Sequence, residues 1–292
     1  MKNKFVFLIS TFIALLILPS FVSASDNNMD TLNNNPLQKI DIEKLIDINK
    51  PFKTEDGELI NPIEYFENNT ELIDPYVIIG PDGRKKVTNP SVMPYRAMTY
   101  ILLEFDNYTA SCSGTLVDNY KVLTNAHCLV DDETGKKPIE SVILTQVKDN
   151  HYSQAYWGTK HITPSGYNGN TDLDYGVIIL KNDGRPAPGI EQGKLPIKQV
   201  TNLSNNQSLK IYGYPADKTL DLWGMTGNLK SQTNTLAFYD IDTYEGQSGS
   251  GILNSSNEIV AIHAAGFKFE NENLNGGPKM TKSVVNFIKN AK

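Results

Sequence analysis

Eight short apolar or alternating runs follow one another between residues 98 and 264, and turn signals separate them. The runs cover residues 98–105, 115–124, 141–147, 175–180, 208–212, 236–241, 251–253 and 259–264. Asp82-Gly83, Asn168-Gly169-Asn170, Asn182-Asp183-Gly184 and Asn275-Gly276-Gly277 supply chain reversals. Short strands with closely spaced turns predict a sandwich or a barrel and argue against alternating β-α units. The fold class expected from residue 77 onward is therefore all-β. One helix is predicted near the C-terminus, over 280–289, where Val284, Val285 and Ile288 share a face and Lys289 suits the last turn.

The first 76 residues have a different character. Lys2 and Lys4 precede an apolar stretch from residue 5 to 18 broken only by Ser10 and Thr11, and Val22-Ser23-Ala24 offers small residues at the cleavage spacing. This pattern is that of a secretory signal peptide over 1–24, and the stretch is short for a bilayer span. Residues 25–76 carry twelve acids against four bases, with Asn33-Asn34-Asn35 and Pro36, Pro51, Pro62 and Pro75. Ile40, Ile42, Leu45, Ile46 and Ile48 suit a short helix, yet the segment cannot build a core alone. It is either a disordered spacer or a propeptide that keeps the body silent until secretion.

The chain has 27 basic and 33 acidic residues for a net charge of −6, and the acid excess lies in this segment, leaving the body from residue 77 neutral. A neutral body gives nucleic acid no electrostatic reason to bind. Hydrophobic residues make up 39% of the chain, too many for a disordered protein. Two cysteines are too few for a disulfide-dense scaffold or a multi-cysteine zinc module, and export places them where thiols can pair.

Three motifs carry chemistry. In Leu123-Thr124-Asn125-Ala126-His127-Cys128 a strand ends just before a histidine. In Asp172-Leu173-Asp174-Tyr175-Gly176 an acid opens a strongly apolar strand, and either Asp172 or Asp174 is a candidate, with Asp174 favoured because the strand starts directly after it. In Gly246-Gln247-Ser248-Gly249-Ser250-Gly251 a serine sits in a glycine-rich bend that lets backbone N–H groups converge. Each motif alone is more often structural; the order His127, Asp174, Ser248, with spacings of 47 and 74 residues, is what makes them a set. A serine hydroxyl is a poor nucleophile at neutral pH, and an imidazole within hydrogen-bond reach takes its proton as the new bond forms. A carboxylate on the other ring nitrogen fixes the tautomer, and the backbone N–H groups of Gly246 and Ser248 would form the oxyanion hole. Activity is expected to fall below about pH 6–7, where imidazole protonates.

On these motifs the chain resembles the chymotrypsin-fold serine proteases, and among them the secreted bacterial glutamyl endopeptidases of the V8-like type. The resemblance runs from Val77 to the C-terminus and includes Asp242-Thr243 before the serine loop, Tyr212-Gly213-Tyr214-Pro215 and Asp217-Lys218. It implies a chymotrypsin-like pair of six-stranded β-barrels with the site between them, and the division 1–24 signal peptide, 25–76 propeptide, 77–292 trypsin-like serine protease domain. It implies a Cys112–Cys128 disulfide flanking the histidine strand. It also implies an acidic residue at P1, the position before the cut bond, held by Thr243, His263, Gly266 and the freed amine of Val77. Gln247 stands where trypsin-like zymogens carry an aspartate that pairs with the new amine, so that switch is absent. The bond before Val77 follows Tyr76, which points to a separate activating protease. His151 and His161 are expected at the surface.

The expected partners are polypeptide substrates, with no cofactor, no metal, no nucleic acid and no membrane after signal removal; the expected form is an extracellular monomer. One departure is Glu245, where the family usually has glycine: its carboxylate would repel an acidic P1 residue or point outward. A lipase-type esterase would need Gly-x-Ser-x-Gly, which Ser250 breaks. The rival from another class is a non-catalytic protease relative serving as a secreted binding protein, or a narrow-specificity toxin.

Overall fold

A computed structural model of the chain describes residues 37–55, 57–67, 78–131, 133–218, 220–269 and 272–292. The signal reading over 1–24 and the residue Val77 lie outside the described residues.

The first half of the body is a closed barrel. Its strands are β1 (Met98–Glu104), β2 (Thr109–Asp118), β3 (Lys121–Thr124), β4 (Glu140–Thr145), β5 (Gln154–Ile162) and β6 (Gly176–Leu180). They pair in the order β2-β1-β4-β5-β6-β3, and β3 returns to β2 to close the ring. The run expected over 115–124 is thus two strands. The chain reverses through Asn119-Tyr120, where the Asn119 N–H bonds the Asp118 carboxylate at 2.7 Å, and Asp118 pairs with Lys121. β1 is almost continuously apolar because nearly all of it is buried, which is why it reads as a run and not as an alternation.

The second half is β7 (Ser208–Gly213), β8 (Trp223–Gln232), β9 (Leu236–Tyr239), β10 (Gly251–Leu253), β11 (Ile259–Ile262), β12 (Ala265–Lys268) and β13 (Asn273–Pro278). The sheet order is β11-β10-β7-β8-β9-β13-β12, and an isolated antiparallel bridge between Ala261 and Lys279 joins its far sides. Leu209, Ile211, Tyr239, Ile252 and Val260 fill its core.

Helix α1 (Lys282–Asn290) follows, capped by the Thr281 hydroxyl, which accepts from Val284 N–H at 3.4 Å. Val284, Val285 and Ile288 are buried as expected. The helix crosses back to the first barrel: Lys121 Nζ donates to the Ile288 and Lys289 carbonyls at 3.1 and 2.9 Å, and the Phe287 and Tyr175 rings meet edge to face. Those cationic bonds satisfy carbonyls that a helix end leaves open. No described helix is long and apolar enough to cross a membrane.

The described part of 25–76 packs on the body. Gln38–Lys39 pairs with His151–Tyr152, and Ile40 and Ile46 are buried in the main core, joined by a 3-10 turn at Ile42–Lys44 where a short helix was expected. The Phe52–Lys53 and Leu59–Ile60 strands form a small hairpin, and Phe52 pairs in parallel with Thr109 at the start of β2. A segment with too few apolar residues for its own core has borrowed the body's.

Candidate active site

The antiparallel pairing of β3 with β6 sets the first two site residues. Thr124 pairs with Gly176, so the end of β3 and the start of β6 lie at the same rim of the barrel. His127 lies just beyond one strand and Asp174 just before the other. The His127 Nδ1 is 2.7 Å from Asp174 Oδ2, and the backbone N–H of His127 donates to Asp174 Oδ1 at 2.9 Å. Asn125 Nδ2 donates to the Asp174 carbonyl at 2.6 Å, fixing the acid's backbone as well as its side chain. Asp174 is buried and the imidazole is partly open, so the carboxylate sees the ring more than it sees water. Asp172 is exposed and its side chain accepts from the Thr235 hydroxyl.

The serine loop hangs between β9 and β10 and is tied to the first barrel. Ser113 on β2 donates from its N–H to the Ser248 carbonyl at 2.9 Å. Its hydroxyl accepts from Tyr214 N–H at 2.9 Å and donates to the Gly246 carbonyl at 2.8 Å. On the other side, Gly249 N–H reaches the His263 carbonyl and His263 N–H the Ser250 carbonyl. Gly246 and Gly249 have φ of +84° and +87°, and a Cβ on them would come within 2.6 Å of the Tyr214 carbonyl and 2.2 Å of the Ser113 carbonyl. The glycines of this motif are therefore demanded by left-handed backbone and by close packing together.

A cleft of about 580 Å³ opens along this rim, lined by His127, Asp174, Gly246 and Ala264 among others. Glu55, from the segment before the body, enters it. Its Oε1 accepts from Gly246 N–H at 2.9 Å, and His127 and Asp174 act on it electrostatically, while the Ser248 hydroxyl donates to the Ala264 carbonyl at 3.5 Å. One carboxyl group thus touches the serine loop within the field of the histidine and the aspartate. Burial raises the Glu55 pKa, the nearby His127 and the polar groups of Gly246 and Ser248 oppose that rise, and Asp174 adds to it.

Glu245 neither points outward nor stands alone: it is buried, and its carboxylate accepts from the backbone N–H of Glu55. Cys112 and Cys128 form a disulfide beneath the histidine turn. His263 is buried with Nδ1 2.9 Å from the Tyr239 hydroxyl; burial holds its pKa at about 3, with His127 depressing it further and Asp174 opposing. Thr243 is fully buried and, among the described residues, its hydroxyl has no hydrogen-bond partner. Gly266 lies on β12, partly exposed and paired with Asn275. His151 is half-buried at the edge, and His161 is not a surface residue: it is half-buried, bonds the Ser141 hydroxyl at 2.9 Å, and burial lowers its pKa to about 4.

Two anchoring residues escaped the sequence reading. Ser113 carries no motif; a small residue in the strand between Cys112 and Gly114 is its only signal. Asp242 was visible only as the neighbour of Thr243. In the structure its carboxylate accepts from Ile79 N–H and Gly83 N–H, both at 2.7 Å, and so clamps the start of the body beside the serine loop.

Comparison with known proteins agrees with this geometry. The trypsin family model matches residues 83–289. A glutamyl endopeptidase of Bacillus licheniformis is 29% identical over 250 residues, covering 81% of this chain and 76% of its own length. A glutamyl endopeptidase of Staphylococcus aureus is 27% identical over 295 residues, covering 99% of this chain and 80% of its own. A solved Glu endopeptidase structure is 36% identical and superposes with a TM-score of 0.65, covering 73% of this chain and 98% of that one. The chain belongs to the trypsin family and is a serine endopeptidase of the chymotrypsin fold.

Proposed function

We propose that the chain is the precursor of a secreted endopeptidase that cuts after acidic residues, using His127, Asp174 and Ser248. The observation that carries the reading is the 2.7 Å contact between His127 Nδ1 and Asp174 Oδ2, made in the cleft that Gly246 of the serine loop also lines. With Nδ1–H held by the carboxylate, Nε2 is the free base. The Ser248 hydroxyl proton passes to Nε2 as Oγ bonds the substrate carbonyl carbon. The carbonyl oxygen becomes an oxyanion, met by the N–H groups of Gly246 and Ser248. His127 then gives its proton to the leaving amine as the C–N bond breaks. Water repeats the sequence on the acyl-enzyme and frees the acid product. One oxyanion donor is worth about 3–4 kcal/mol of barrier.

For an acidic P1 side chain, Thr243 offers a buried hydroxyl that no described group uses. His263 offers the second donor. If Tyr239 donates to Nδ1, the proton sits on Nε2, and a bound carboxylate would raise the low pKa of this ring by pairing with its cationic form. The Asp242 clamp holds Ile79 and Gly83 at the residue preceding Thr243, which supports a pocket role for the freed amine of Val77 once residues 25–76 are removed, with Gly266 assigned to the same pocket. Signal cleavage after Ala24 and a separate activating protease complete the scheme.

The test is cleavage-site profiling of the activated protein on a peptide library, with Ser248→Ala as control and N-terminal sequencing of the active form. Cuts after Glu, fewer after Asp, and a start at Val77 are expected. Cuts after basic or aromatic residues, or cutting that survives Ser248→Ala, would overturn the reading.

A further inference from the structure

Glu55 sits at the bend of a hairpin. Thr54 N–H bonds the Glu58 carbonyl at 2.9 Å, Glu58 N–H bonds Thr54 Oγ1 at 2.9 Å, and the Phe52–Lys53 and Leu59–Ile60 strands form its arms. The base is held by Lys50, whose Nζ reaches Glu104 Oε1 at 2.6 Å and the Phe105 carbonyl at 2.9 Å. Thr109 N–H donates to the Pro51 carbonyl at 2.9 Å, so the first arm is an added strand on the edge of β2. Phe52, 1% exposed, stacks on Tyr65 at 3.9 Å, and both pack against Ala216. These anchors aim the bend at the serine loop.

At the tip the contacts are specific. Glu55 Oε1 takes the Gly246 N–H at 2.9 Å, two residues before Ser248, and Glu245 takes the Glu55 backbone N–H. The group at the oxyanion donor is a side-chain carboxylate, not a peptide carbonyl. It has no leaving amine, so Ser248 has no C–N bond to break there. A segment seated in this way blocks the site without being consumed.

Accepting the roles proposed above for Ser248 and Gly246, we propose that residues 51–60 are a built-in inhibitor whose Glu55 carboxylate plugs the oxyanion hole and whose backbone is latched by Glu245. Silence of the precursor then has two parts: the missing Val77 amine, and a filled oxyanion site that empties when the hairpin leaves. Glu245 acquires a role that an acidic neighbour of the oxyanion loop would otherwise lack, as the acceptor for the plug's own N–H.

The experiment is the rate at which a small fluorophosphonate, which reacts with an activated serine irrespective of peptide preference, labels Ser248. It is measured on the intact chain and again after limited proteolysis removes the residues before Val77. Wild type, Glu55→Ala and Glu55→Asp are compared. All trimmed forms are the same protein and must label alike, so a variant that failed to fold is recognised there and set aside. Wild type should label more slowly intact than trimmed. Loss of one charge-assisted buried bond should speed intact Glu55→Ala by roughly 10- to 100-fold over intact wild type. Glu55→Asp, one methylene too short to reach Gly246, should also label faster than wild type. Equal rates for intact and trimmed wild type, or intact variants as slow as intact wild type, would overturn the plug. Failure of trimmed wild type to label Ser248 at all would instead remove the underlying catalytic assignment.

Discussion

Removing the Ser113 hydroxyl should damage the serine loop although Ser113 belongs to the other half of the fold. That hydroxyl is 1% exposed as a residue and makes two bonds, accepting from Tyr214 N–H at 2.9 Å and donating to the Gly246 carbonyl at 2.8 Å. Ser113→Ala leaves one buried donor and one buried acceptor without partners, and each such orphan costs about 1–3 kcal/mol. Their neighbours relax together, so the sum is not fully additive, and a loss of about 2–4 kcal/mol is expected. The same change frees the Gly246 backbone, whose left-handed conformation the Tyr214 and Ser113 contacts hold in place. The oxyanion donor then drifts, so kcat should fall by roughly tenfold, a part of what a whole donor supplies, with KM little changed. Ser113→Cys, which keeps a weak S–H donor, should fall between the two. Urea unfolding and steady-state kinetics on the activated protein measure both effects. A Ser113→Ala protein within about 0.5 kcal/mol of wild type and with unchanged kcat would refute the reasoning.

Three further outcomes are expected. Asp174→Asn should lower kcat by roughly 10⁴-fold by losing the correct tautomer, while Asp172→Asn, altering an exposed carboxylate, should leave peptide hydrolysis near the wild-type rate. Replacing Cys112 and Cys128 with serine opens a link across 16 positions and should cost about 3 kcal/mol in denaturant titrations, provided the variant accumulates. Acid should destabilise the fold. His263 is held at about 3 and His161 at about 4, both below the ordinary imidazole value, so the unfolded chain binds protons that the folded chain refuses. The stability they contribute is present above about pH 6.5 and is lost as pH falls toward the folded values. Glu55 works in the opposite sense, because its raised pKa favours the folded precursor in acid. Melting temperature should therefore drop between pH 7 and 4, more steeply after removal of the pro-region than before. A flat profile, or a steeper one in the precursor, would contradict this.

The histidine, aspartate and serine were legible because each is embedded in a local pattern: a strand end before His127, a strand start after Asp174, glycines around Ser248. The β3–β6 register then turns sequence neighbours of strand ends into spatial neighbours. The long strands β5 and β8 were not legible. Trp157, Lys160 and His161 on one, and Thr226, Lys230 and Ser231 on the other, put polar or exposed groups where an apolar alternation would have marked a strand. Ser113 could not be found because its role depends on two backbone groups contributed by segments 101 and 133 residues away. The Glu55 plug was hidden for a similar reason: an acid in an acidic, proline-punctuated stretch looks solvated until the fold supplies Gly246, Ser248 and Glu245 around it. Glu245 looked like a repulsive departure for as long as its partner, a backbone N–H from another segment, was unknown.

The central claim is that Ser248, activated by His127, is acylated during turnover. Rapid mixing of the activated protein with a chromogenic ester, followed by mass spectrometry of acid-quenched peptides, tests it directly. The account expects a burst matching the enzyme concentration, with the acyl group on the peptide containing Ser248, and no burst from Ser248→Ala or His127→Ala. An acyl group on another residue, or a burst that persists in either variant, would contradict it.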